Sequence, residues 1–201
     1  MLSQMQDDAA EVEILRGLLA DLRDALAARS SAAGAASDAH LLQCCTALGL
    51  VTHPRRDEDH GRCVRALVAH GGVELLISAL VVALEDGGGD APSAGGELAA
   101  SCLALLLSLT EGVVGTSQGY TSTAANELAM RASQCGLMEV VDAAMALHPQ
   151  TCAISGVSLL QQLIEAQERL LVSRRTPKSL VAVVHALSPP NDARRRVAAR
   201  L

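Results

Sequence analysis

Apolar residues recur along this chain at three- and four-residue steps. Between Ala9 and Ala28, Val12, Leu15, Leu18, Leu19, Leu22 and Leu26 are spaced this way, with Asp21, Arg23 and Asp24 between them, and the pattern predicts an amphipathic helix. SSAAGAAS, residues 30–37, interrupts it, and Ser37 or Asp38 is placed to cap a second helix through LLQCCTALGLV. HPRRDEDHG, residues 53–61, reads as a polar loop. A helix from about Arg62 to His70 then meets Gly71-Gly72, and GVELLISALVVALE follows as another. EDGGGDAPSAGG, residues 85–96, reads as a flexible connection. ELAASCLALLLSLTE is helical and apolar all round, so neighbours are expected on most of its sides.

The second half repeats this order. A Gly- and Thr-rich loop, GVVGTSQGYTST, precedes ANELAMRASQCG and then LMEVVDAAMALH. Pro149 begins the next helix, and SGVSLLQQLIEAQERLLVSRR continues or follows it. Pro177 opens KSLVAVVHAL, and Pro189-Pro190 precede a last basic segment. Valine-rich pieces such as Leu80 to Leu84 lie inside a longer three-four pattern, so the period decides for helix over strand. The expected class is all-α.

Composition points the same way. Half of the 201 residues are apolar, yet Phe and Trp are missing and Tyr120 is the single Tyr. A core of Leu, Ala and Val lets helices pack closely in regular layers. The net charge of −6 lacks the basic footprint of a nucleic-acid binder. Basic residues bunch at Arg174-Arg175, Arg194-Arg195-Arg196 and Arg200 and read as a solvated helix face or terminus. The N-terminal stretch has acids where a secretory signal needs basic residues. The most apolar stretch, Leu98 to Leu109, is shorter than the roughly 18 residues that span a bilayer. No membrane association is expected. Six cysteines without an export signal read as reduced thiols, mostly small core residues. The expected location is the cytoplasm, with the nucleus as second compartment.

The chain is self-similar. Laying Gly71 on Gly136, 65 positions apart, superimposes Val73 on Met138, Glu74 on Glu139, Leu75 on Val140, Leu76 on Val141 and Ala79 on Ala144. The long helices align as Leu48-x-x-Val51, Leu106-x-x-Leu109 and Leu160-x-x-Leu163, with Cys44, Cys102 and Gly156 four places earlier. A repeated helical unit that buries its apolar face only against its neighbours signals a solenoid. The division is a partial repeat at 1–52, one repeat at 53–110, a second at 111–164 with a loop insert at 111–123, and a truncated one at 165–201 with a basic end. Partial units at both ends imply the rest of a longer solenoid or another subunit. Gly71, Gly72 and Gly136 act as structural hinges, because glycine tolerates the left-handed conformation that ends helices.

These residues, VRALVAHGGVELLISAL and MRASQCGLMEVVDAAM at the junction of first and second helices, with ELAASCLALLLSLT and SGVSLLQQLI in third-helix position, resemble the armadillo-repeat family. HEAT repeats are the nearest related pattern. The resemblance implies a right-handed superhelix whose concave groove is lined by third helices and binds other proteins. It also implies sites for a peptide-holding Asn, here Leu50, Ser108 and Gln162, and for a Trp one turn earlier, here Thr46, Ala104 and Ser158. The ladder of those family side chains is missing. Ser108, Ser158 and Gln162 are the candidate partner contacts, since they keep hydrogen-bonding capacity on that face.

GTSQG, residues 115–119, fits the G-x-S-x-G nucleophile pattern. A serine hydrolase would use Ser117 as nucleophile, His70-Gly71-Gly72 as oxyanion loop, and Asp142 with His148 or His185. That motif needs a strand feeding a strained turn, which this helical pattern lacks. The expectation is therefore a non-enzymatic interaction scaffold, with the hydrolase as alternative. His40 and Cys44, with His60 and Cys63, could be imagined as zinc ligands, but no close C-x-x-C pair anchors them. The GGGD run at 87–90 lacks the Lys-Ser/Thr of a phosphate-binding loop. Glu97, Glu111 and Glu127 are scattered without paired-carboxylate spacing. Neither metal nor cofactor is expected.

Overall fold

The computed structural model describes residues 2–31, 35–52, 57–85, 94–110 and 123–173. Eight helices and no strand are found among them: α1 (Leu2–Ser31), α2 (Ala35–Thr52), α3 (Asp57–Ala69), α4 (Gly72–Glu85), α5 (Ala94–Thr110), α6 (Thr123–Gln134), α7 (Leu137–Leu147) and α8 (Pro149–Ser173). The protein is all-α over these residues. Among them, no single helix is long and apolar enough to cross a membrane.

Periodicity in the sequence became burial in the fold. Leu15, Leu19 and Leu22 of α1 are buried, while Glu13, Arg16, Asp21 and Asp24 face outward. The all-apolar α5 is covered by α2, α4, α6 and α8, and Leu98, Leu103, Leu106 and Leu109 are completely buried in it. Each such leucine contributes about 1.5–3 kcal/mol of transfer free energy. Aromatic bulk is not needed, because small Ala and Cys residues such as Ala99 and Cys102 let the backbones approach.

The packing order is layered. α3 packs on α6, α4 on α7 and α5 on α8, while α2 packs on α5 and α1 covers α3 and α4. Each helix of the α3–α5 triplet thus lies against the corresponding helix of α6–α8.

The hinges carry the correspondence to atomic detail. Gly71 and Gly136 have φ of 72° and 77°, the left-handed region that an L side chain disfavours. The His70 amide donates to Ala66 at 3.0 Å, Gly71 to Val68 at 3.2 Å, and the Gly71 carbonyl accepts from Leu75 at 3.2 Å. In the second triplet Cys135 donates to Arg131 at 3.0 Å, Gly136 to Ser133 at 3.2 Å, and Gly136 accepts from Val140 at 3.3 Å. All three bonds recur 65 residues later. The first hinge bends the chain by 76° between 61–69 and 72–85.

Several boundaries differ from the sequence reading. Asp38 does not cap α2: the helix starts at Ala35, and the buried Asp38 carboxylate instead pairs with Arg29 Nε of α1 at 3.3 Å. α3 begins at Asp57 rather than Arg62. Asp57-Glu58-Asp59, read as loop, belong to its first turn. α5 begins at Ala94 and runs through Gly95 and Gly96, both buried, so tertiary packing overrides their weak propensity. Gly72 is not a second hinge. It is the first residue of α4, and a Cβ there would lie 2.6 Å from Leu67 Cγ, so its smallness seats α4 against α3. α8 runs unbroken from Pro149 to Ser173, through position 165, where the truncated unit was expected to begin. The rest of that unit, 174–201, and most of the insert at 111–123 lie outside the described residues.

Candidate interaction surface

The three expected partner contacts sit on α5 and α8, which pack side by side. Ser108 is half-buried, and its hydroxyl donates to the Leu105 carbonyl of its own helix at 3.2 Å. Ser158 and Gln162 stand one turn apart on α8, both half-buried. Gln162 Oε1 contacts the Thr110 hydroxyl of α5, whose oxygen also lies 3.0 and 2.9 Å from the Leu106 and Leu107 carbonyls. A hydroxyl has one proton, so it serves one of these acceptors at a time. Gln162 therefore ties α5 to α8.

Thr110 has a counterpart that sequence reasoning missed. Thr52, at the end of α2, is also buried, and its hydroxyl donates to the Leu48 carbonyl at 2.8 Å. The Leu48–Leu106 alignment already carried Thr52 onto Thr110, which was the signal available. Bonding back to the helix satisfies a polar group inside an apolar layer. Around these positions the surface is sparsely charged: Ala104 is exposed, and Leu50 and Ile154 are 73% and 85% exposed. Such a face offers apolar contact and a few hydroxyl and amide groups.

Two ion pairs join helices, Arg29 with Asp38 and Arg131 with Glu74. Arg131 Nε of α6 pairs with Glu74 Oε1 of α4 at 2.5 Å. Glu74 and Glu139 hold the third position of their helices, near the positive end of each dipole.

The hydrolase residues are not assembled among the described residues. Ser117 and His185 lie outside them. Asp142 is exposed on α7, whereas His148 is buried at the α7–α8 junction. The His148 amide donates to Ala144 at 2.9 Å and its carbonyl accepts from Cys152 at 2.9 Å, so it links the two helices. Its Nε2 is buried without a hydrogen-bond partner among the described residues. The amides of Gly71 and Gly72 open α4: Gly71 is engaged with Val68 and Gly72 is packed on Leu67. His70 is half-buried in the turn that follows α3.

Nor do the described residues group three or more His, Cys, Asp and Glu side chains to hold a metal. His40 is exposed while Cys44 and Cys63 are buried; the side chain of His60 lies outside the description. Burial raises the Cys44 thiol above its ordinary value, with Cys45 and Asp21 adding to the effect. Desolvation does the same to Cys152. Neutral buried thiols pack as small hydrophobic groups. Comparisons of the chain with protein-family models, curated proteins and solved structures find no match.

Proposed function

We propose that this chain is a non-enzymatic, armadillo-like solenoid that binds other proteins through the row of third helices α2, α5 and α8. The observation that carries this reading is the hinge: a left-handed glycine with the same three backbone bonds recurs after 65 residues, in triplets that pack like on like. Short helix, hinge, second helix and long third helix make a three-helix unit, which favours armadillo over two-helix HEAT architecture. In this reading the stack is a right-handed superhelix, and Ser108, Ser158 and Gln162 mark its concave side. The buried free thiols support residence in the reducing cytoplasm or nucleus.

Site-specific photo-crosslinking in cells tests the proposal. A crosslinker at Ser108 or Ser158 is expected to trap discrete protein partners that one at Glu127, on exposed α6 surface, does not trap. Equal trapping from all three positions, or none from the first two, overturns the assigned face. Ester turnover by purified chain that is lost in Ser117→Ala overturns the non-enzymatic reading.

A further inference from the structure

Cys45 on α2 and Cys102 on α5 bring their sulfurs within 3.6 Å of each other. Both are buried, at 1% and 0% exposure, and they lie in adjacent layers, 57 residues apart in sequence. A disulfide bond measures about 2.05 Å, so the sulfurs need to approach by roughly 1.5 Å. The hydrogen bond shared with Cys45 and then burial hold the Cys102 thiol well above its ordinary value. The thiolate is the reactive form, so the closed layer holds Cys102 away from reaction.

Reaction therefore requires opening. Among the described helices, α1 and α2 form an outer layer, packed against α3, α4 and α5. An end layer of a stacked array loses fewer contacts on detaching than an internal one. We propose that Cys45 and Cys102 form a redox staple, in which peroxide oxidation bonds α2 to α5 and locks the outer layer onto the stack. The layer opens and one thiolate sulfur attacks a peroxide oxygen. The O–O bond breaks, giving a sulfenic acid and, after protonation, water. On reclosing, the second thiolate attacks the sulfenic sulfur; the S–S bond forms and hydroxide leaves to be protonated. Two thiols and one hydrogen peroxide thus yield one disulfide and two waters, with the sulfurs oxidised and the peroxide reduced. Closing a long loop constrains the unfolded chain, and the same bond opposes detachment of α1 and α2.

The test is oxidation of the purified, reduced full chain with hydrogen peroxide in native buffer, followed by alkylation of remaining thiols and peptide mapping. The expected product has lost two hydrogens and contains a linked Cys45–Cys102 peptide. Its thermal midpoint rises, amide exchange in α2 slows, and dithiothreitol reverses both. Cys45→Ser and Cys102→Ser each abolish the shift; the dithiothreitol cycle on wild-type chain gives the same reading should a variant not fold. The proposal is overturned when Cys135, partly exposed on the hinge, is oxidised while Cys45 and Cys102 remain free. It is also overturned by linkage of Cys45 or Cys102 to other cysteines instead, or by an unchanged or lower midpoint in the linked protein.

Discussion

Replacing Gly71 by alanine isolates the conformational cost of the hinge. The site has room: the atom nearest to a new Cβ is Glu74 Oε2 at 3.9 Å, and at Gly136 it is Glu139 Oε2 at 3.7 Å. What alanine resists is φ of 72° or 77°, which costs about 1–2 kcal/mol for a residue bearing Cβ. Alanine also lowers the entropy of the unfolded chain, which returns about 0.4–1 kcal/mol. The net loss is about 1 kcal/mol, which lowers the melting midpoint by about 2–4 °C in a chain of this size. Gly71→Ala and Gly136→Ala should lose similar amounts, and Asn at either position should lose about half as much, since it enters the left-handed region more readily. Circular dichroism melts and urea titrations of the four variants supply the measurement. A neutral or stabilising alanine, or asparagine no better than alanine, refutes the hinge assignment. A large difference between the two glycines refutes their equivalence.

Gly72 fails for a different reason: in Gly72→Ala the new Cβ meets Leu67 Cγ at 2.6 Å and the Leu67 carbonyl at 3.0 Å, an overpacking worth about 1–3 kcal/mol. Gly17→Ala meets nothing within 4 Å and should stabilise α1 by about 0.5–1 kcal/mol; urea midpoints moving the same way for both variants would contradict the packing argument. Leu106→Ala empties a completely buried site and should cost about 2–5 kcal/mol, whereas Leu50→Ala, on a residue 73% exposed, should stay within about 0.5 kcal/mol. Stability should also fall in alkali. Cys44, Cys102 and Cys152 have folded thiol values raised above the ordinary one, so their contribution is complete below the unfolded value of about 8.5. It is lost as pH rises through the folded values, because the unfolded chain releases thiol protons first. Denaturant midpoints measured under reducing conditions from neutral pH to about pH 10 should decline, and Cys44→Ala with Cys152→Ala should flatten the decline.

Much of the fold was written in the sequence because helices report themselves locally. Leu15, Leu19 and Leu22 show the three-four period that their burial later expresses, and Pro149 marks the first turn of α8. The 65-residue correspondence was also legible, since the same hinge needs the same glycine. Candidate contacts were legible only as positions: aligning Ser108 and Gln162 located them on two long helices, but the contact of Gln162 with Thr110, 52 residues away, is nonlocal.

The sequence by itself determined that helices dominate, which face of α1 is apolar, and that Gly71 and Gly136 end helices. These follow from short-range sterics and periodicity. Tertiary structure decided what no local pattern encodes. It turned Asp38 from a cap into the partner of Arg29 at 3.3 Å, made Gly72 a contact with Leu67, and bound Gln162 to Thr110. It also set Cys45 against Cys102 across 57 residues. Each of these depends on the distance between side chains from different helices, which is fixed when the layers pack.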